Sequence, residues 1–224
     1  MYNKHLKLMI KDNILIVRER IAAVCARARI DPLGITIICV TKGRAAAQIA
    51  EAVDSGFTHL GENRVQEARE KYRQFPSLDW QMIGHLQLNK VKEALKIFSL
   101  IHSVDSVELA KEINKQAFKL SKVQDILLEV KTSPEAAKFG IMPEALPDAV
   151  KEILTLSNLK VKGLMTIAPV VDNPEKARQY FSQLKALRDR LNPSWALSMG
   201  MTDDFEVAIE EGADMIRLGR AIFG

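Results

Sequence analysis

Eight strand-like segments that alternate with helical segments predict an α/β protein built as a closed, parallel (β/α)8 barrel of the TIM type. The alternative is an open doubly wound sheet, but the chain contains no Gly-x-Gly-x-x-Gly motif. A helical pattern over about residues 5–29 precedes the first strand and predicts an extra N-terminal helix. Because no linker, repeat or low-complexity tract interrupts the pattern, we expect a single domain over residues 1–224.

The predicted strands are short apolar runs, several of them rich in β-branched residues, as buried parallel strands usually are. The first is the run Ile35-Thr36-Ile37-Ile38-Cys39-Val40. In chain order the strands are predicted at residues 35–40, 58–60, 80–83, 100–103, 126–130, 161–164, 195–197 and 214–217.

Helix-start signals support several of the predicted helices. Ser106 and Asn173 stand where side-chain caps are expected, and Pro143 occupies a first-turn position. After the opening helix, the helices are predicted near residues 45–55, 64–75, 88–97, 106–120, 143–156, 174–191 and 203–211.

The composition indicates a soluble globular protein. The chain has 224 residues and is 47% hydrophobic, which is enough for one large core. No apolar run reaches membrane-spanning length, and the first residues contain no hydrophobic signal segment, so we expect a cytoplasmic protein. Cys25 and Cys39 are best interpreted as small core residues in a reducing compartment.

The charge pattern does not support nucleic-acid binding. The net charge of +4 comes from 32 basic and 28 acidic residues, and the basic residues are spread along helical patterns. Such rows usually form solvated helix faces, and no aromatic residues interleave with them to stack on bases. We therefore expect no nucleic-acid or membrane partner.

Lys42 comes directly after the first predicted strand and Thr41. Burial of the lysine stem at a strand end disfavours the charged form, so the fraction of neutral, nucleophilic amine rises. A neutral amine can form an imine with an aldehyde. Taken alone, however, Lys42 is better explained as a surface lysine that merely ends a strand and reaches water.

Two glycine turns near the C-terminus each follow a short strand and lead into a helical pattern. The first contains Gly200 and Thr202, and the second contains Gly219 and Arg220. Backbone N–H groups at such turns point outward and favour an anion, most often a phosphate. Thr202 can add a hydroxyl donor, or it can be the N-cap of the helix that begins near Asp203.

In a parallel barrel, residues that follow the strands meet at one rim, where such barrels bind their ligands. The polar residues expected at this rim include Lys42, Glu62, Asn63, His85, Thr166, Thr202 and Arg220. An amine that faces a phosphate site suits two functions. One is a sugar-phosphate aldolase with Lys42 as its Schiff base, and the other is binding of pyridoxal 5′-phosphate, which carries both an aldehyde and a phosphate.

From about Ile35 to Gly224 the chain resembles the pyridoxal-phosphate homeostasis proteins (the YggS/PROSC family), whose fold is similar to the barrel domain of alanine racemases. Several motifs in order carry the resemblance. They are Val40-Thr41-Lys42, Gly61-Glu62-Asn63-Arg64-Val65-Gln66-Glu67, Ile83-Gly84-His85-Leu86-Gln87, His102-Ser103-Val104-Asp105, Lys138-Phe139-Gly140, Gly163-Leu164-Met165-Thr166 and Ser198-Met199-Gly200-Met201-Thr202-Asp203-Asp204-Phe205.

The resemblance implies a role for seven residues. Lys42 would hold pyridoxal phosphate as a Schiff base, and Arg217 would face the pyridine nitrogen. The phosphate would be held by Thr202, Gly219 and Arg220, the last two mainly through backbone N–H groups. Asn63 and Ile83 would line the pocket of the ring.

These expectations favour a cofactor carrier over an enzyme. Arginine keeps its proton, so Arg217 would leave the ring nitrogen unprotonated and the ring a weak electron sink. A racemase also needs a second acid or base on the face opposite the lysine, and His85 is the best candidate for that role. We expect a monomer that holds pyridoxal phosphate or delivers it to apoenzymes with little or no turnover; a racemase-like enzyme is the alternative.

A metal site can also be considered, because His59, His85 and His102 lie near the ends of neighbouring predicted strands. No carboxylate or thiol at metal-binding spacing accompanies them. We therefore expect no bound metal.

Overall fold

The computed structural model describes residues 9–135 and 138–224, and in these ranges eight parallel strands close into a barrel in the order β1 to β8. The barrel closes where β1 pairs with β8, so that Ile38 lies opposite Arg217. The strands are β1 Thr36–Val40, β2 His59–Glu62, β3 Asp79–Met82, β4 Leu100–Val104, β5 Gln124–Glu129, β6 Leu159–Met165, β7 Ala196–Ser198 and β8 Met215–Leu218. The predicted (β/α)8 fold is confirmed.

Helices surround the barrel. They are α1 Ile10–Ala28, α2 Ala46–Asp54, α3 Val65–Tyr72, α4 Val91–Ala94, α5 Val107–Lys119, α6 Leu146–Ile153, α7 Arg178–Leu191, α8 Phe205–Glu210 and α9 Arg220–Phe223. The short α9 was not predicted, and residues 5–8 of the predicted opening helix lie outside the described residues. Across the described ranges, no helix combines the length and apolar character that crossing a membrane requires.

Two of the predicted helix starts are confirmed as side-chain caps. The Ser106 hydroxyl accepts a hydrogen bond from the Leu109 N–H at 3.2 Å and begins α5. The Asn173 side chain accepts from the Glu175 N–H at 3.0 Å, although the first turns of its helix are a 3-10 helix, Pro174–Ala177, that leads into α7.

Two other helix-start predictions are wrong. The helix predicted from Pro143 begins only at Leu146, with Pro147 in its first turn. The helix predicted to start near Asp203 begins at Phe205, so Thr202 is not its N-cap. Asp204 stands at that cap position, and its carboxylate accepts from the Met201 N–H at 2.6 Å, which stabilises the loop before the helix.

The extra N-terminal helix packs against the C-terminal end of the chain. Ile14, Val17 and Val24 bury one face of α1, which contacts α8 and α9. The Asn13 side chain also donates to the Ile222 carbonyl at 3.0 Å. Burying each aliphatic side chain stabilises the fold by about 1.5–3 kcal/mol. In this way α1 holds the turn that leads into α9 at the rim of the barrel.

The interior is filled by large apolar side chains. Trp80, Phe98, Phe181 and Phe205 are among the largest fully buried ones. The sequence interpretation of the two cysteines as core residues is confirmed, since Cys25 and Cys39 are both free and buried.

Candidate functional site

A cavity of about 430 Å³ opens at the rim formed by the carboxyl ends of the strands. Its walls come from the residues that follow β1, β2, β3, β6 and β7, from β8 itself, and from the turn after β8. All seven residues for which the resemblance implies a binding role line it: Lys42, Asn63, Ile83, Thr202, Arg217, Gly219 and Arg220. The structure therefore brings the predicted set together, while the role of each residue as a ligand stays a prediction.

Lys42 lies on a tight turn over residues 41–44. The Arg44 N–H donates to the Thr41 carbonyl at 3.0 Å and closes the turn. Gly43 has a φ of +69°, a conformation that favours glycine at the third position of such a turn. The turn carries Lys42 beyond the strand end and leaves it exposed, so the expected burial of its stem is wrong.

Arg217 is buried in β8, and its side chain is fixed by two hydrogen bonds. Nη1 donates to the Ser198 hydroxyl at 2.6 Å, and Nη2 donates to the Thr166 carbonyl at 2.8 Å. Burial lowers the pKa of Arg217 to about 10, against the opposing effect of Asp204 and Glu129. The guanidinium is therefore still protonated near neutral pH, as the sequence argument assumed.

A chain of hydrogen bonds continues from Arg217 through the barrel interior. His102 is fully buried, and its Nδ1 lies 2.9 Å from the Ser198 hydroxyl and its Nε2 lies 2.7 Å from Gln81 Oε1. The Gln81 amide in turn donates to Asp79 at 2.8 Å. Burial, with the charge of Arg217, lowers the pKa of His102 well below its usual value, so the ring is neutral.

The donors and acceptors of this chain fit only one arrangement of protons. Gln81 donates to Asp79 through its nitrogen, so its oxygen must accept from the Nε2–H of His102. Nδ1 of that neutral ring then accepts from Ser198, whose oxygen accepts from Arg217. Every donor in the chain points from the rim towards the amino ends of the strands, where Asp79 begins β3.

The two C-terminal turns also line the cavity and contact each other. The Thr202 hydroxyl accepts from the Ala221 N–H at 3.2 Å, which ties the turn after β7 to the first turn of α9. The Arg220 guanidinium pairs with the Asp203 carboxylate. Gly200 has a φ of +89°, and a Cβ at this position would lie 2.5 Å from the Ala208 Cβ, so the backbone requires glycine.

His85 does not line this cavity. It lines two neighbouring ones, of about 610 and 260 Å³, that share Asn63 with the main cavity. Its Nδ1 lies 2.9 Å from Asp105, and its ring stacks on Phe139 with the ring centres 3.8 Å apart.

The three histidines considered for a metal site do not converge. His59 begins β2 and bonds Asp79 at 2.6 Å at the amino end of the barrel, while His102 is enclosed in the interior and His85 lies at the rim. In the described part of the chain, no group of three or more His, Cys, Asp or Glu side chains is arranged to hold a metal ion.

Sequence reasoning missed Glu129, which lies in β5 and lines the smaller neighbouring cavity with Asn63 and Ile83. Burial raises the pKa of Glu129 to about 7, with a further increase from Asp105 and an opposing effect of Arg217. The available signal was a lone carboxylate within an otherwise apolar predicted strand. Glu62, expected at the rim, is instead fully buried beneath it.

The sequence matches the family described as "Alanine racemase, N-terminal domain" over residues 15–224. A curated relative from Aquifex aeolicus (strain VF5), named "Pyridoxal phosphate homeostasis protein", is 45% identical over 215 residues, which cover 93% of this chain and 94% of the relative. The chain belongs to the family of pyridoxal phosphate homeostasis proteins. The resemblance inferred from the sequence motifs is therefore confirmed.

Solved structures agree with this family assignment. PipY of Synechococcus elongatus PCC7942, solved with PLP bound, is 36% identical and has a TM-score of 0.80. The match covers 93% of this chain and 100% of PipY. An alanine racemase of Clostridium difficile 630 has a TM-score of 0.74 at 17% identity, and 95% of this chain covers 56% of it. That likeness shows the barrel fold that the pyridoxal phosphate homeostasis family shares with alanine racemases.

Proposed function

We propose that this protein binds pyridoxal 5′-phosphate as a Schiff base on Lys42 and holds or delivers the cofactor with little or no turnover. The observation that carries the proposal is the convergence of all seven expected residues on one cavity. The name of the Aquifex aeolicus relative and the PLP-bound structure of PipY support it.

The donor set of the cavity suits this cofactor. Its volume of about 430 Å³ lies within the range typical of small-molecule sites. An amine on Lys42 can meet an aldehyde, and the buried Arg217 cation can donate to a ring nitrogen. Thr202 and the turn containing Gly219 supply hydroxyl and backbone donors of the kind that hold a phosphate.

The residues around the cavity favour storage over turnover. When bound, the cofactor supplies an aldehyde for imine formation and a ring that can withdraw electrons. Arg217 keeps its own proton near neutral pH and, as a donor, leaves a ring nitrogen unprotonated, which weakens that withdrawal. Tyr72 and Tyr180 lie on the outer helices α3 and α7, away from the position a second base would need.

An absorption spectrum of the purified protein, taken before and after borohydride treatment and followed by peptide mapping, tests the proposal. We expect a yellow protein whose reduced adduct maps to Lys42. Lys42→Ala should lose the adduct, and Lys90→Ala, at the same rim, should retain it. An adduct on another residue, or none after saturation with pyridoxal phosphate, contradicts the proposal.

The racemase-like alternative rests on the acid–base groups in the adjoining cavity, His85 with its partner Asp105 and Glu129. It predicts that single amino-acid enantiomers invert in the presence of the loaded protein. Inversion well above the rate with free pyridoxal phosphate would replace the carrier proposal.

We further propose that the protein acts as a monomeric single domain over residues 1–224 in the cytoplasm and passes its cofactor to pyridoxal-phosphate-dependent apoenzymes. The buried free thiols of Cys25 and Cys39 suit a reducing compartment. Sedimentation velocity tests the monomer. Activation of an apoenzyme by the loaded protein, compared with an equal amount of free cofactor, tests delivery.

A further inference from the structure

Lys71 is a buried lysine on α3, beneath the rim that carries Lys42. Its ammonium group donates three hydrogen bonds, each of 2.6 Å, to the Thr41 carbonyl, to Glu62 Oε1 and to Glu67 Oε1. A lysine ammonium has three N–H donors, so all three have a protein acceptor here. Because every ammonium donor of Lys71 is hydrogen-bonded within the chain, its side chain has a fixed position.

The two carboxylates extend these contacts to both sides of Lys42. Glu62 Oε1 also accepts from the Thr41 hydroxyl at 2.6 Å, and Glu67 Oε1 also accepts from the Gly43 N–H at 2.6 Å. The residues immediately before and after Lys42 are therefore both held. We refer to Glu62, Glu67 and Lys71 as the rim clamp.

The rim clamp also reaches the neighbouring strand end. Glu62 Oε2 accepts from the Asn63 N–H at 3.2 Å, and Asn63 lines the cavity beside Lys42. One network thus holds the backbone on both sides of Lys42 and at Asn63.

Stability alone is a weak explanation for this arrangement. Burial raises the pKa of Glu62 although hydrogen bonds from Lys71 and Thr41 oppose the effect, so ionisation of Glu62 is less favourable here than in water. Buried ion pairs are often no more stabilising than apolar side chains of the same size. What an ionic network provides and an apolar cluster lacks is directional contact with specific backbone atoms.

We propose that Glu62, Glu67 and Lys71 are positioning residues that fix the turn over residues 41–44, so that the Lys42 amine is aimed at the cofactor's aldehyde carbon. This inference rests on the proposed function. The amine condenses with the aldehyde and releases one water, so no other reactant is required. Gly43 makes the free turn flexible, and contacts that hold a reacting group in place accelerate such a step.

Glu67→Ala is the main test, because it removes the Gly43 contact from a partly exposed position. We expect adduct formation with added pyridoxal phosphate, followed by absorbance, to slow by about 10-fold or more. Binding of pyridoxine 5′-phosphate, which has no aldehyde, should change by less than about twofold. Glu67→Gln keeps an oxygen acceptor for the Gly43 N–H and should restore most of the rate.

Glu70→Ala is the matched control, since Glu70 lies on the exposed side of the same helix. If Glu67→Ala fails to fold, Thr41→Val serves as the test variant. It removes the hydrogen bond from the Thr41 hydroxyl to Glu62 and should slow adduct formation by about 2- to 10-fold. A rate equal to that of the wild type in the folded variant overturns the inference. A wild-type protein that forms no adduct at all instead overturns the proposed function.

Discussion

Replacing Glu129 with glutamine should change how stability depends on pH. The carboxyl is buried in β5, and burial, with Asp105, raises its pKa from 4.5 to about 7 despite the opposing charge of Arg217. Ionisation therefore costs more free energy in the folded protein than in the unfolded chain. Glutamine at this position cannot ionise and avoids that cost.

The sign and size of the effect follow from linkage. Between the unfolded and folded pKa values the native state binds more protons than the unfolded chain, so the stability contributed by Glu129 falls as the pH rises. The difference between 4.5 and about 7 corresponds to about 3.4 kcal/mol in total at 1.36 kcal/mol per unit. About 2.5 kcal/mol of this should be lost between pH 5 and pH 8.

Urea unfolding of the wild type and Glu129→Gln at pH 5 and pH 8 measures the effect. The test compares the difference in unfolding free energy between the two proteins at pH 5 with the same difference at pH 8. Any change in packing or hydrogen bonding that does not depend on pH therefore cancels. From pH 5 to pH 8, the stability of Glu129→Gln relative to the wild type should increase by about 2.5 kcal/mol, or about 5–10 °C in Tm. The same substitution at the exposed Glu144 should produce no such increase. An equal difference at both pH values would refute the reasoning.

Three further substitutions test the site and its support by equilibrium unfolding. Lys42→Ala should change the free energy of unfolding by less than about 0.5 kcal/mol, because Lys42 is exposed. Ser198→Ala should destabilise the protein by about 1–3 kcal/mol, because it leaves buried atoms of Arg217 and His102 without a partner. Gly200→Ala should destabilise by more than about 1 kcal/mol, since its Cβ would meet Ala208 and its φ is positive; Gly34→Ala, where an added Cβ would meet nothing within 4 Å, is the control.

The strands were predictable where buried apolar residues follow one another, as Ile126, Leu127 and Leu128 do in β5. A helix start can be read from the sequence where a side chain caps the helix, as Ser106 does. Pro143 gave a false start because a turn in which the Ala145 N–H donates to the Met142 carbonyl precedes α6. Local sequence signals cannot distinguish such a turn from the first turn of a helix.

The rim residues were predictable because strand ends can be read from the sequence, and parallel strands bring their carboxyl ends together. Lys71 and Glu129 were not predictable in this way. Lys71 is one of several charged residues on α3, and only the packing of that helix beneath the first strand's turn makes it buried. The pKa of Glu129 is raised mainly by burial in the folded barrel, with smaller effects of Asp105 and Arg217, which are distant in the sequence.

The direction of the interior hydrogen bonds bears on the choice between carrier and enzyme. Arg217 donates to the Ser198 hydroxyl, and Ser198 donates to Nδ1 of the neutral His102 ring. His102 in turn donates from Nε2 to Gln81. No proton in this chain points back towards the cavity, so Ser198 offers Arg217 an acceptor, and the guanidinium stays protonated near neutral pH although burial lowers its pKa to about 10. A guanidinium held in this state can present only N–H donors to a ring nitrogen, which must then be unprotonated to accept. Under the proposed binding mode, with Arg217 facing the ring nitrogen, the bound ring would be a weak electron sink, which favours holding pyridoxal phosphate over transforming amino acids with it.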